Sequence, residues 1–231
     1  LGDVYKRQII RSLQSKVNCI DIPFVDKTSA ALVCAKSVLE CDYEQLNSLT
    51  YRFFNDTMSF DQNACSSPKQ LIWLGEEMDI LPAREMFWDK FESYIKSNYE
   101  LTEQNALLKF TNVCLLATYS KNNINLQSES NYLHIIEPQN NDQEYNFSFF
   151  NSGLFLQREA RNLNEVGKYL RANTQTLTYF GVNLLSIKEL LEDTKSMHID
   201  RVVPVGNALN LELTWDGVEL PGLLSHVIAL R

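Results

Sequence analysis

The residue best suited to covalent chemistry in this chain is a cysteine in a short polar segment. Cys65 lies within Phe60–Pro68, where its neighbours are mostly small or polar and leave room for a substrate carbonyl. A thiol attacks as the thiolate, so hydrogen-bond donors or a nearby positive charge must lower its pKa. Backbone N–H groups exposed in such a loop stabilise an oxyanion. Candidate side-chain donors are Gln62, Asn63, Ser66 and Ser67.

The elements on either side of this cysteine follow from the spacing of apolar residues. Residues 42–57 predict a helix, because Asp42 and Gln45 fit a capping box and apolar residues recur at helical spacing. Ser59–Pro68 predicts a loop, and Lys69–Leu74 predicts a strand. The cysteine therefore joins a helix to a strand.

The rest of the chain alternates between helical and strand-like patterns. Further strands are predicted at 30–34, 132–136, 176–180 and 201–205, with strand-like residues at 147–156. Further helices are predicted at 82–97, beginning at Pro82, at 102–119, capped by Thr102, at 164–172, and at 186–192, capped by Ser186. A turn is predicted at Trp215-Asp216-Gly217. This alternation predicts an α/β domain with a largely parallel sheet.

The cysteine count and the net charge restrict the class of protein. The five cysteines include no C-x-x-C pair, which disfavours a structural zinc site and favours a reducing compartment, and we expect a cytoplasmic protein. Cys34 and Cys114 lie in apolar runs typical of core cysteines. A net charge of −8 disfavours a nucleic-acid partner, and Lys69 is an isolated cation beside the Cys65 segment. The absence of an apolar run of about 18 residues predicts no membrane span.

Three separated motifs resemble one family in the same order along the chain. Phe60–Pro68 resembles the nucleophile loop of the long-chain fatty acyl-CoA reductases associated with bacterial luciferase, divergent members of the aldehyde dehydrogenase superfamily. Gln175–Gly181 resembles a strand motif of that family. Arg201–Leu209, followed by Trp215-Asp216-Gly217, resembles its C-terminal signature. The matches span roughly residues 22–231.

The resemblance implies a fold and a reaction. The expected fold is the three-layer α/β/α catalytic domain of the superfamily over residues 9–231, whereas residues 1–8 resemble translated sequencing adapter and are expected to be non-native. Cys65 would attack an acyl-CoA thioester, and NADPH would then reduce the enzyme thioester to a fatty aldehyde. The Cys65 N–H would be one oxyanion donor, and an upstream Asn the second. Expected partners are fatty acyl-CoA or another acyl thioester, and homo-oligomeric or acyl-transfer subunits.

Two departures from the wider superfamily bear on this expectation. Hydrolytic aldehyde dehydrogenases carry a Glu that activates water. That position falls here on Pro23, with Asp26 as the alternative. Losing this base suits a reductase, which must protect its thioester from water. No G-x-G-x-x-G occurs, and Phe149–Gly153 lacks the cofactor-ribose Glu of the superfamily. The resemblance implies a dinucleotide-binding half upstream, and the fragment alone is expected not to catalyse reduction.

Other functions remain open from the sequence. A Cys–His hydrolase would need His134, His198 or His226 beside Cys65. A catalytically silent acyl-binding or subunit-interaction module would carry Cys65 as an ordinary exposed loop residue. Trp73, Trp88 and Trp215 are interpreted as packing residues, with an acyl-channel lining as the alternative.

Overall fold

The computed structural model describes residues 8–13, 16, 27–120, 124–139, 144–193 and 199–225. Within these ranges, one sheet has seven strands in the order β3-β4-β5-β2-β1-β6-β7. The strands are β1 Thr28–Cys34, β2 Pro68–Leu74, β3 Ile124–Ser130, β4 Leu133–Pro138, β5 Leu154–Ala160, β6 Thr174–Phe180 and β7 Arg201–Pro204. All neighbouring strands are parallel except β3, which pairs antiparallel with β4.

Helices cover both faces of this sheet. They are α1 Ala35–Leu39, α2 Tyr43–Thr57, α3 Glu77–Asn98, α4 Glu103–Tyr119, α5 Leu163–Tyr169, α6 Leu184–Asp193 and α7 Leu220–Leu224. One apolar cluster joins α1, α2 and α3 to one face of the sheet, and two others join α4, α5 and α6 to the opposite face. The predicted three-layer α/β/α architecture with a largely parallel sheet is confirmed.

Local capping signals predicted two helix starts correctly. Asp42 accepts the Gln45 N–H at 2.8 Å, and the Gln45 side chain accepts the Asp42 N–H at 2.9 Å. This reciprocal capping box begins α2, which leads directly toward the cysteine loop. Thr102 caps α4 by accepting the Asn105 N–H at 3.2 Å.

Two predicted helix starts were wrong. Helix α3 begins at Glu77, so Pro82 lies inside it. Proline removes the N–H that would bind the carbonyl of Met78, but Met78 is exposed and water can hydrogen-bond that carbonyl. Helix α6 begins at Leu184, because the side chain of Asn183, and not Ser186, accepts an N–H of the first turn.

The predicted strand-like stretch 147–156 is divided in the structure. Phe147–Phe149 forms a 3-10 turn, and β5 begins only at Leu154. The predicted turn at Trp215-Asp216-Gly217 is a two-residue hairpin between β8 Thr214–Trp215 and β9 Val218–Glu219. Asp216 and Gly217 both have positive φ, the geometry that hairpins with an Asp-Gly turn prefer.

Candidate active site

The Cys65 loop lies at the amino ends of three neighbouring parallel strands. It leads into β2, and β1 lies between β2 and β6. The Ser29 hydroxyl, at the start of β1, donates to the Cys65 carbonyl at 2.7 Å and accepts the Thr176 N–H at 3.1 Å. One hydroxyl therefore ties the cysteine's own carbonyl to two strands of the sheet.

Two consecutive left-handed residues form the turn before the cysteine. Asp61 has φ 52° and Gln62 has φ 62°, a conformation that costs energy for side chains larger than glycine. Gln62 is fully buried; its N–H donates to the Thr57 carbonyl at 2.7 Å, and its amide donates to the Pro68 carbonyl at 3.1 Å. Gln62 was a candidate donor to the thiolate, and in the structure its amide holds the two ends of the loop together.

The cysteine itself remains accessible. Cys65 is exposed, and Asn63 is exposed beside it, whereas Ser66 and Ser67 are buried. The Ser67 N–H donates to the Ala64 carbonyl at 3.0 Å. For the Cys65 N–H, the described part of the chain shows no hydrogen-bond acceptor.

A lysine at the end of the loop interacts electrostatically with Cys65. Lys69 is the second residue of β2, and its Nζ donates to the Phe147 carbonyl at 3.3 Å. Burial lowers the pKa of Lys69, and negative charge on Cys65 acts in the opposite direction. No carboxylate in the described ranges forms an ion pair with Lys69. Within the described ranges, Lys69 is therefore a cation near Cys65 without a carboxylate partner.

A serine–glycine pair before β5 supports the loop from the other side. The Ser152 N–H donates to the Asp61 carbonyl at 2.9 Å, and the Gly153 N–H donates to the Gln62 side-chain oxygen at 3.1 Å. Gly153 has φ 88°, and a Cβ there would lie 2.3 Å from the Tyr132 carbonyl oxygen. Sequence reasoning missed this support, although a Ser-Gly pair before a strand is a turn signal.

A tyrosine binds the carboxylate nearest to the cysteine in sequence. The Tyr99 hydroxyl donates to the Asp61 carboxylate and accepts a hydrogen bond from the Asn105 amide at 3.2 Å. Burial, together with the neighbouring Asp61, raises the pKa of Tyr99 to about 12. Asp61 is therefore engaged in the structure of the loop.

The C-terminal motif is held by a buried carboxylate that the sequence did not single out. Asp56, near the end of α2, accepts the Gly206 N–H at 2.6 Å and the Ala208 N–H at 2.8 Å. Burial raises the pKa of Asp56 to about 6, although both backbone donors and Arg201 act against that shift. The distance of 150 residues between Asp56 and Gly206 explains why no local pattern indicated the contact.

The three motif segments occupy neighbouring positions in the sheet. The second motif is on β6, beside β1 and next to β7, which begins the third. The Gln175 amide donates to the Asp216 carboxylate, and the Arg201 guanidinium lies 5.1 Å from the centroid of the Trp215 ring. The structure thus connects the strand motif to the C-terminal signature, and Ser29 connects the strand motif to Cys65.

The remaining predicted residues are distributed as follows. His134 lies on β4, where burial and the nearby Lys109 lower its pKa to about 4, and no contact with Cys65 is seen in the described residues. His198, His226, Pro23 and Asp26 lie outside the described residues. Cys114 is exposed on α4, so its assignment to the core was wrong.

The tryptophans behave largely as predicted. Trp73 and Trp88 are buried in the aromatic core, and both indole N–H groups donate to the Gln157 side-chain oxygen, at 3.2 and 2.8 Å. Sharing one acceptor fixes both rings against β5. Trp215 is half-buried under Arg201 in the hairpin.

The helix start after β2 is unfavourable for a dinucleotide phosphate. Gly75 follows β2 at the start of α3, but the first residues there include Glu76, Glu77 and Asp79, which repel a pyrophosphate. In the described ranges, no group of three metal-binding side chains occurs, and no helix has the length and apolarity to cross a bilayer.

Comparison with known proteins identifies similar folds. No protein-family model and no curated protein matches the sequence. An NAD-dependent aldehyde dehydrogenase from Sinorhizobium meliloti superposes with a TM-score of 0.52 at 10% identity, over 78% of this chain and 37% of that one. An aldehyde dehydrogenase from Physcomitrella patens, solved with the product succinate, gives 0.52 at 14% identity, over 80% and 39%.

A third structure extends the same similarity. Succinic semialdehyde dehydrogenase from Streptococcus pyogenes, solved with NADP⁺, gives a TM-score of 0.50 at 14% identity, over 77% of this chain and 40% of that one. The chain spans about two fifths of the length of each of these enzymes. Its seven-stranded, mostly parallel sheet between two helical layers is the α/β fold of aldehyde dehydrogenases.

Proposed function

We propose that the protein forms a thioester on Cys65 and belongs to an enzyme that reduces long-chain fatty acyl-CoA to fatty aldehyde with NADPH. The observation that carries this proposal is an exposed thiol in a fixed loop, beside a lysine and with its own N–H free for an oxyanion. The fold of aldehyde dehydrogenases supports the reaction class, and the three sequence motifs support the acyl-CoA substrate.

The acyl transfer uses groups of this chain. The Cys65 thiolate attacks the acyl-CoA carbonyl carbon, and the resulting oxyanion accepts the Cys65 N–H. Collapse of this intermediate breaks the bond to the CoA sulfur, which leaves as a thiolate and takes a proton from solvent. A Cys65 thiolate and the Lys69 ammonium attract each other.

The carboxylate nearest to Cys65 in sequence is hydrogen-bonded. A hydrolytic enzyme would need a base to activate water. Asp61 accepts the Tyr99 hydroxyl, which supports a role in holding the loop. NADPH, when bound, supplies the hydride that converts the thioester to the aldehyde oxidation level. Consistent with a nicotinamide cofactor, the Streptococcus pyogenes enzyme was solved with NADP⁺.

Mass spectrometry after incubation with palmitoyl-CoA tests the acyl transfer. We expect a mass increase of one acyl group, located on Cys65 by peptide mapping and absent from Cys65→Ala. Cys114 is the internal control, because it is also exposed but lies on a helix away from the loop. Acylation of Cys114 as fast as Cys65, or of neither, contradicts the proposal.

Thiol alkylation separates this function from a catalytically silent module. An activated Cys65 reacts with iodoacetamide at least tenfold faster than Cys34, which is only partly exposed. Equal rates for the two cysteines would favour the silent acyl-binding or subunit-interaction module. If Cys65 is the faster cysteine, prior incubation with fatty acyl-CoA should protect Cys65 alone from alkylation.

A further inference from the structure

A buried lysine with no assigned role lies close to the cysteine loop. Lys109, on α4, is fully buried, and its Nζ donates to the carbonyls of Asn131 at 2.5 Å, Tyr132 at 3.1 Å and Ser152 at 2.9 Å. An ammonium has three donors, so all of them are used. Burial lowers the pKa of Lys109 to about 8. Burying a charge without a carboxylate partner is costly, which indicates a specific function for these contacts.

The third carbonyl connects this lysine to the nucleophile loop. Ser152 accepts Lys109 with its carbonyl and donates its N–H to the Asp61 carbonyl. The next N–H, of Gly153, donates to Gln62, whose amide closes the loop onto Pro68. Ser152 has φ 53°, so the pair needs external support to keep its left-handed conformation.

The other two carbonyls belong to the turn between β3 and β4. Lys109 therefore has a general structural role as well, joining α4 to that turn. A specific effect on Cys65 must be separated from loosening of the helix. Asn112 allows this separation: it lies one turn further along α4, is also buried, and donates to the Phe149 carbonyl at 2.9 Å.

We propose that Lys109 is a positioning residue for the nucleophile. By binding the Ser152 carbonyl, it fixes the Ser152–Gly153 pair, which holds Asp61 and Gln62 in the conformation that presents Cys65. The inference rests on the proposed function of Cys65 and adds a residue 44 positions away in sequence, on a different layer of the fold.

Alkylation of two cysteines in the same chain tests this proposal. The measured quantity is the iodoacetamide rate of Cys65 divided by that of Cys114, which lies on α4 with Lys109 and reports the state of that helix. In Lys109→Met, which keeps the length but removes the donors, the ratio should fall at least tenfold. In Asn112→Leu it should change less than twofold. Lys109→Arg, which keeps charge and donors, should recover the ratio to within threefold of the original.

Three results would overturn the proposal. These are an unchanged ratio in Lys109→Met, an equal fall in Asn112→Leu, and no recovery in Lys109→Arg relative to Lys109→Met. If Lys109→Met does not fold, Gln62→Met provides a second test, because it removes the acceptor of the Gly153 N–H. This variant should lower the alkylation ratio at least fivefold. An unchanged ratio overturns the proposal.

The proposed function and this inference fail in different experiments. Acyl transfer from palmitoyl-CoA to unmodified protein tests the function of Cys65. The alkylation ratio tests its positioning, whether or not an acyl group is accepted. If acylation is slow but the alkylation ratio of Cys65 to Cys114 still depends on Lys109, the acyl-CoA substrate is rejected. The positioning role of Lys109 is then retained.

Discussion

The loop around Cys65 and the loop after β7 both resemble family motifs in sequence, but they use their backbone differently. In the second loop, Asp56 binds the Gly206 and Ala208 N–H groups, and the Asn207 N–H donates to the Pro204 carbonyl at 3.2 Å. In the first, the Gln62 and Ser67 N–H groups are bound as well, but the Cys65 N–H has no acceptor in the described ranges. The second loop is therefore fixed by a buried carboxylate from α2, whereas the first leaves one amide that the proposed function assigns to an oxyanion.

Removing the thiol should give the largest chemical effect and the smallest structural one. Cys65→Ala is expected to abolish the fast alkylation and the acyl adduct, since no second cysteine lies in the loop. Because Cys65 is exposed, the free energy of unfolding should change by less than about 0.5 kcal/mol. Urea denaturation measures this change in the free energy of unfolding. A loss above about 2 kcal/mol would mean that the first loop is also mainly structural.

Removing the Asp56 carboxylate, which holds the second loop, should have a large effect on stability and little effect on the reactivity of Cys65. Asp56→Leu leaves one buried and one partly buried N–H group without an acceptor, and we expect a loss of about 2–4 kcal/mol near pH 5. Urea denaturation measures this loss. In the fraction that remains folded, the alkylation rate of Cys65 should be unchanged, and a slower rate would show that the two loops are coupled.

The same carboxylate should make stability depend on pH. The pKa of Asp56 is raised to about 6 in the folded chain, so the native state binds more protons than the unfolded state between about pH 4 and 6. Its contribution is therefore fully present at low pH and falls as pH rises through 6. The stability advantage of the unmodified protein over Asp56→Leu should shrink by up to about 3 kcal/mol from pH 4 to 7. An advantage that grows with pH would contradict this assignment.

A methyl group at Gly206 should disturb the second loop more weakly. Gly206 has φ 103°, and an added Cβ would lie 2.8 Å from the Cβ of Arg52. We expect Gly206→Ala to cost about 1–2 kcal/mol. Gly222→Ala is the matched control, because among the described residues no atom outside its own helix backbone and chain neighbours lies within 4 Å of its added Cβ. Equal melting temperatures for the two variants would show that the loop tolerates the methyl group.

Local sequence patterns predicted what depends on neighbours in the chain. The capping box of Asp42 and Gln45 and the loop placement of Cys65 both follow from contacts or spacing within a few residues. The groups that hold the loops were missed because they lie far away in sequence. Ser29 is 36 residues from Cys65, and Lys109 is 43 residues from Ser152.

The errors at individual residues have physical causes too. Cys114 stands in an apolar run, but successive helical residues rotate by about 100°, so Leu116 faces the core while Cys114 faces away from it. Gln62 was taken for a free donor because its burial depends on the left-handed turn, which the sequence does not specify for a glutamine. Composition showed which side chains were polar but not where each one points.

The position of β1 in the sheet has a consequence for how the chain folds during synthesis. The Ser29 hydroxyl meets the Thr176 N–H, 147 residues later. One side of β1 can pair with β2 early, but its other side stays unpaired until the ribosome has delivered β6. Contacts between such distant segments form slowly, and an unpaired apolar strand attracts other chains. Slowing translation before Thr174 should therefore lengthen the exposure of β1 and increase aggregation of newly made protein.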